Sequence, residues 1–246
     1  RHPDVQRMLS TMKAITEASR ALSYSACAEV DRVAGNLPNN KLEAHTRRLG
    51  LLTPIVKGWC TEIAQEVASL SLQCHGGMGY VEETGIAQIF RDARILPIYE
   101  GTNGIQSMDF VGRKIIGDKG LGIMELIAEM QEYASQLLPS DVLTTSQLGL
   151  FEQSIKDLDV ASVLVLDNSE NKHYCGVIAF DMLMMTGTIS AAWQMLKSLE
   201  KAKIAFENKT ISSDFFKEKN KTVRHFIDFI LPRYVSHFIS INAAAC

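Results

Sequence analysis

Apolar residues recur along the chain at spacings of three and four, which is the period of an α-helix with one buried face. The first such run places apolar side chains at Val5, Met8, Leu9, Met12, Ile15, Ala18, Leu22 and Ala26. Pro3 followed by Asp4 is typical of a helix start, because proline suits the first turn and an early acid suits the helix dipole. The run predicts a helix to about Val33, ended by the Gly/Pro/Asn-rich residues 35–40.

The same period predicts the remaining elements. A second helix covers residues 51–72, and the polar residues 39–49 either begin it or lead into it. Further helices are predicted over residues 82–93, 102–116, 123–138, 147–166, 174–204 and 215–241. Residues 160–166 are rich in β-branched side chains, so a strand remains an alternative there. Pro232 should kink the last helix.

One glycine-rich stretch, residues 117–122, is predicted to be a linker. It would separate a helical domain at residues 1–116 from a helical extension at residues 123–246. No segment shows a convincing period of two, so we predict an all-α fold: an antiparallel helical bundle followed by a second, smaller bundle.

The charge balance excludes some classes of partner. The chain of 246 residues has 25 basic and 28 acidic side chains and a net charge of −3, which gives no electrostatic reason to expect binding to nucleic acid. From the sequence we expect no apolar run of the roughly 18–20 residues that a membrane span needs. We therefore expect neither nucleic acid nor a membrane span.

The cysteines indicate a reducing compartment. They are odd in number, far apart and free of CxxC spacing: Cys27, Cys60, Cys74, Cys175 and Cys246. We expect reduced thiols in a cytoplasmic protein, most of them packing as small apolar groups, and a buried thiol at Cys74. No signal peptide is expected at the start. Because Arg1 stands within the approach to a helix, we expect the chain to be part of a longer protein.

Three motifs follow one another in the first half of the chain: QCHGGMGY at residues 73–80, RDAR at 91–94 and YEGTNGIQ at 99–106. In order and spacing they closely resemble the C-terminal helical domain of acyl-CoA dehydrogenases, and the resemblance covers residues 1–116. The chain after residue 120 more loosely resembles the C-terminal extension of a bacterial subgroup with longer chains, which includes 3-methylmercaptopropionyl-CoA dehydrogenases. The family's N-terminal helical domain and middle β-domain have no counterpart in this sequence.

The resemblance implies a reaction. Glu100 matches the catalytic base, which removes the α-proton of an acyl-CoA thioester while the β-carbon passes a hydride to N5 of FAD. The product is a trans-2-enoyl-CoA. Such a base must be desolvated to be strong enough, and the cofactor is required because no side chain accepts two electrons. Tyr99 and Gly101, on either side of Glu100, would contact the substrate.

The resemblance also implies cofactor contacts and partners. Thr102 opens a helix, whose free N–H groups suit a flavin nucleotide. Gln73 and Gly77 match positions that meet the adenine end of an FAD bound in a neighbouring subunit, so we expect a homodimer or homotetramer. An electron-transfer flavoprotein would remove the electrons. Asn103 and Gln106 have the spacing of a capping box at the start of the same helix.

Two alternatives remain open. An acyl-CoA oxidase would use the same base but admit oxygen to the flavin. Alternatively, the chain is a catalytically inert helical oligomerisation module. The isolated 246 residues are expected to bind FAD weakly or not at all and to be inactive, since the β-domain that holds much of the flavin is missing.

Other polar residues favour structural roles. His75 is interpreted as a packing or hydrogen-bonding residue, and no metal site is expected, because a di-iron bundle needs Glu-x-x-His on two facing helices. Arg91 and Arg94 could steer the CoA phosphates, but pairing with the nearby acids (Asp92, and Glu82 or Glu83) is favoured. The methionine cluster at residues 182–185 is expected in the core.

Overall fold

The structure is a computed structural model that describes residues 2–140 and 142–245. Its α-helices are α1 (Pro3–Ala34), α2 (Asn39–Cys74), α3 (Gly77–Tyr80), α4 (Ile86–Ala93), α5 (Asn103–Asp109), α6 (Leu121–Gln136), α7 (Thr145–Asp167), α8 (Lys172–Glu207), α9 (Ser213–His225) and α10 (Tyr234–Ala243). Short 3-10 turns cover Glu82–Thr84 and Leu231–Arg233, and π-helical segments extend α5 over Phe110–Ile116 and α9 over Phe226–Ile230. No strand occurs among these residues, and the all-α prediction is confirmed.

The structure decides between the alternatives left open for residues 39–49 and 160–166 and shows the effect of Pro232. The polar residues 39–49 begin α2 rather than leading into it. Residues 160–166 are helical, because Ala161 and Val165 pack into the core from one face of α7. Pro232 lies in the 3-10 turn, so the predicted helix at residues 215–241 is interrupted where proline removes a helical hydrogen bond.

The central element of the fold is α8, which packs against α1, α2, α5, α7, α9 and α10. Every residue from 182 to 193 is buried, so the methionine cluster lies in the core as predicted. By length and composition alone α8 could cross a membrane, although the sequence analysis expected no such run. The burial of this helix explains why it is so apolar. In its most apolar window 72% is buried inside the protein, as in a core helix.

A single buried core extends across the predicted linker. Residues 117–120 form a tight turn, and α6 begins directly after it at Leu121. The hydrophobic cluster includes Ile15 of α1 and Ile55 of α2 together with Phe151 of α7 and Phe226 after α9. The division into residues 1–116 and 123–246 stays a prediction, while the packing joins the two parts through α8.

The cysteines with described positions are free thiols. Burial raises the pKa of Cys60 and of Cys175, which keeps these thiols protonated. Cys74 is only half-buried, with its Sγ 4.0 Å from Met8 Sδ, so the expectation of a buried thiol there is wrong. Cys246 lies outside the described residues.

A close helix contact in the core joins α2 and α8. Trp59 of α2 is fully buried, and its Nε1 donates a hydrogen bond to Thr188 Oγ1 at 3.0 Å. A Cβ atom added at Gly187 would lie 2.5 Å from Trp59 Cγ and 2.6 Å from Cδ1. The indole therefore lies directly on the backbone of α8, which only glycine permits.

We expect Gly187→Ala to lower the free energy of unfolding by about 1–3 kcal/mol, the usual cost of overpacking a core. The methyl group would overlap a rigid ring, so one of the two helices must shift. Chemical denaturation, followed by circular dichroism, measures the change.

Gly176→Ala is the matched control, because it lies on the same helix but is exposed, and an added Cβ meets no atom within 4 Å. It should stabilise the protein by about 0.5–1 kcal/mol, since alanine favours helix more than glycine does. Equal stabilities for the two variants would contradict the close contact between α2 and α8.

Candidate active site

The loop between α4 and α5 presents Glu100 in an unusual backbone conformation. Glu100 has φ of 53° and Gly101 has φ of 81°, so two successive residues are left-handed. For glutamate this conformation is strained, whereas glycine adopts it freely. Tyr99, Glu100, Gly101 and Thr102 are all exposed. The loop therefore turns sharply and holds the carboxylate at an open surface.

Asn103 anchors this loop to α2. It is 4% exposed, and its backbone N–H donates to Pro97 O at 2.9 Å across the loop. Its Nδ2 lies 3.2 Å from Gly58 O, 2.9 Å from Thr61 Oγ1 and 2.8 Å from Glu62 Oε1. Because this buried amide has several partners on α2, it fixes the position of the loop relative to that helix.

Lys57 provides the second attachment. Its Nζ donates to Gly101 O at 2.8 Å and to Asn103 Oδ1 at 2.8 Å. Burial lowers the pKa of the Lys57 ammonium, and the nearby carboxylates of Glu100 and Glu62 act in the opposite direction. Lys57 thus provides a hydrogen-bond donor for the Gly101 carbonyl and places a positive charge close to Glu100.

The start of α5 differs from the predicted capping box. Thr102, not Asn103, is the N-cap: its Oγ1 accepts a hydrogen bond from Ile105 N at 3.3 Å. Gln106 Nε2 donates instead to Glu100 O at 3.3 Å. The predicted helix start is confirmed, but the pairing of Asn103 with Gln106 is wrong, because the Asn103 side chain is engaged with α2.

Gln73 and Gly77 lie far from this loop. Gln73 follows Lys57 by 16 residues on the continuous helix α2, a separation of about 24 Å at 1.5 Å per residue. Gly77 begins α3, and a Cβ added there meets nothing within 4 Å. Both residues are exposed. The structure therefore groups Tyr99, Glu100, Gly101 and Thr102 in one place and holds Gln73 and Gly77 in another.

The other polar residues have structural partners. Arg91 forms a bidentate pair with Glu82, with both N–O distances at 2.9 Å, which confirms the favoured interpretation for this arginine. His75 Nδ1 lies 2.8 Å from Ser71 O, as expected of a hydrogen-bonding residue. Within residues 2–140 and 142–245 no group of three or more His, Cys, Asp and Glu could hold a metal ion.

Large apolar side chains are exposed in the part of the chain from α3 to α5, which includes the loop. Those exposed between residues 78 and 108 are Met78, Tyr80, Ile89, Ile95, Ile98, Tyr99, Ile105 and Met108. Tyr80 is 83% exposed and Ile105 is 61% exposed. Exposed apolar patches of this kind usually mark a surface that contacts another molecule or domain.

Lys57, Thr61, Glu62 and Asn103 were not identified from the sequence as site residues. The contact from Lys57 to Asn103 spans 46 positions, and helical periodicity carries no information about it. The one available signal was the spacing of four between Lys57 and Thr61, which places both on the same face of α2.

Comparison with known proteins assigns both parts of the chain. Residues 1–116 match the family model for the acyl-CoA dehydrogenase C-terminal domain. Residues 126–245 match the model described as acetyl-CoA dehydrogenase C-terminal like.

Relatives agree with this assignment. The 3-methylmercaptopropionyl-CoA dehydrogenase of Ruegeria pomeroyi is 40% identical over 201 residues, which are 79% of this chain and 33% of the relative. A broad-specificity linear acyl-CoA dehydrogenase of Mycobacterium tuberculosis is 29% identical over 96% of this chain and 40% of its own length.

A solved structure shows the same fold. The acyl-CoA dehydrogenase of Bacillus anthracis, in complex with FAD, matches all of this chain and 41% of its own with a TM-score of 0.69 at 21% identity. The chain spans about two fifths or less of each of these proteins. From its two matching regions and its relatives, the chain belongs to the acyl-CoA dehydrogenase family.

Proposed function

We propose that this chain carries the C-terminal part of the active site of an FAD-dependent acyl-CoA dehydrogenase that converts an acyl-CoA to a trans-2-enoyl-CoA. The observation that carries the proposal is the left-handed loop, which presents Glu100 at an open surface while Lys57 and Asn103 tie its backbone to α2. Strained backbone at a solvent-facing carboxylate is characteristic of functional sites.

Glu100 is the proposed base. Its carboxylate takes the proton from the α-carbon of the substrate, and FAD, when bound, accepts the hydride that leaves the β-carbon. Tyr99 and Gly101 flank the base and contact the acyl-CoA. Because Glu100 is exposed in this chain, the substrate, the cofactor and the rest of the enzyme must cover it to exclude water and strengthen the base.

The residues assigned to FAD suit a cofactor that lies on the surface of the chain. Gly77 leaves open space above its backbone, and the exposed Thr102 stands at the start of α5. Thr102 would contact the flavin nucleotide, and Gln73 and Gly77 would meet the adenine end of another subunit's FAD. Because these two groups of residues lie apart, with Gln73 about 24 Å beyond Lys57 along α2, we assign them to cofactors of two different subunits, and hence to a homodimer or homotetramer.

Substitution of Glu100 by glutamine in the full-length enzyme tests the base. Flavin bleaching by acyl-CoA should slow by about 10²–10⁴-fold, the usual contribution of a general base, while the FAD content stays near normal. Glu83→Gln, at an exposed carboxylate of the same region, is the control and should bleach normally. Bleaching of Glu100→Gln at the unaltered rate would assign the base to another residue.

Lys57→Met tests the attachment of the loop. Without the two hydrogen bonds to the loop, we expect kcat to fall about tenfold or more, with a smaller change in KM and normal FAD content, because the base loses its position. Lys57→Arg should restore part of kcat. Lys156→Met, at an exposed lysine of α7, is the control. A lowered melting temperature with unchanged kcat would show that Lys57 stabilises the fold but does not position the base.

The electron acceptor separates this function from an oxidase. We expect the full-length enzyme to reduce an electron-transfer flavoprotein with acyl-CoA and to release little peroxide. Both rates can be measured in parallel by dye-linked and peroxide-coupled assays. Stoichiometric peroxide without reduction of the flavoprotein would instead identify an acyl-CoA oxidase with the same base.

A further inference from the structure

A cavity of about 310 Å³ lies where α1, α2, α6 and α8 meet. None of the residues assigned to acyl-CoA or FAD lines it. The side of α8 that faces it carries Ser190, Trp193 and Lys197, whose spacing of three and four puts them on one helical face. The cavity is therefore built into the packing of the four helices.

Three residues that line this cavity carry buried hydrogen-bond donors without partners. Ser190 is 1% exposed and Trp193 is 7% exposed, yet Ser190 Oγ and Trp193 Nε1 have no hydrogen-bond partner in the protein. Arg48 binds Glu129 end-on, through Nη1 at 3.1 Å and Nη2 at 2.6 Å, and so leaves its buried Nε unpartnered. Buried polar groups are nearly always satisfied, and these share the ability to donate.

The charges of the lining leave one cation uncompensated. Glu29 is already engaged by Arg32 and, through its other oxygen, by His45 Nδ1 at 2.7 Å. Glu129 is engaged by Arg48. Lys197 Nζ lies 4.5 Å from the centroid of the Trp193 ring.

No ion pair within the described part of the chain includes Lys197. Burial is the main cause that lowers the pKa of its ammonium. Glu129 and Glu200 act in the opposite direction, and Arg32 and Arg48 act in the same direction as burial. A partly buried ammonium that interacts with carboxylates without forming an ion pair to either can still bind an anion in the adjoining space.

We propose that this cavity binds a small oxyanion of phosphate or carboxylate chemistry. The Lys197 ammonium supplies the charge, and Trp193 Nε1–H, Ser190 Oγ–H and Arg48 Nε–H donate to its oxygens. Such a ligand satisfies every one of these groups, because each acceptor oxygen can take more than one hydrogen bond. A metal cation would be repelled by the three cationic side chains, and the two carboxylates of the lining are already paired with Arg32, His45 and Arg48.

An outer cleft of about 580 Å³ adjoins the cavity. Glu29, Arg32, Arg48 and Glu129 line both spaces, so the two ion pairs form their common wall. An anion arriving from outside meets the two arginines first. The cavity joins helices from both family-matched regions of the chain, so occupancy would also strengthen the contact between them.

Trp193 fluorescence tests the proposal. The protein is titrated with sodium phosphate and, separately, with sodium acetate, at constant ionic strength maintained with chloride. We expect a saturable change in emission and a rise in melting temperature with at least one of these anions. Trp59 should contribute a constant signal, because it is fully buried and bonded to Thr188. The anion that saturates distinguishes phosphate from carboxylate as the ligand chemistry.

Charge-matched variants identify the site. Lys197→Gln should weaken binding at least tenfold, whereas Lys201→Gln, at an exposed lysine one turn further along α8, should leave it unchanged. Ser190→Ala removes one donor with little change in volume, and it should weaken binding severalfold if Lys197→Gln fails to fold. Calorimetry provides a second measure of affinity.

Two results would overturn the proposal. Equal binding by Lys197→Gln and Lys201→Gln would show a general salt effect on the protein surface. The absence of any saturable response to either anion would mean that water alone fills the cavity.

Discussion

The contact of Trp59 with the backbone of α8 at Gly187 determines how the rest of the molecule is arranged. It sets a short distance between α2 and α8, and α8 in turn contacts helices from both halves of the chain. Two positions before Trp59, Lys57 projects from a different face of α2 and binds the Glu100 loop. The position of the proposed base therefore depends on a packing contact in the core.

Much of the fold was predictable because it is local. Helices with a regular apolar face, such as α1 and α7, can be recognised from their own residues, and Pro232 interrupts its helix for a reason contained in the proline itself. What escaped prediction depends on distant partners. Asn103 is of a residue type that often caps helices, but its side chain forms hydrogen bonds with α2. Thr102 is the N-cap instead. The burial of Cys74 likewise depends on how tightly α1 covers the end of α2.

The candidate site was predictable in part for the same reason. The motif around Glu100 identified the carboxylate, yet a left-handed glutamate is too rare to expect from composition, and the Lys57 attachment joins residues 44 positions apart. The long separation between Gln73 and the loop follows from the length of α2. Periodicity indicated that helix, but only the structure shows that it begins at Asn39 and runs unbroken to Cys74.

The left-handed backbone of Glu100 sets the stability of the fold against the role proposed for its carboxylate. A non-glycine residue in this conformation costs roughly 1–2 kcal/mol, and glycine would remove most of that cost. Selection for heat resistance alone would therefore favour glycine at position 100 and discard the carboxylate. Glycine at position 100 would relieve strain that Gly101 alone leaves in the turn, but only by removing the carboxylate proposed as the base.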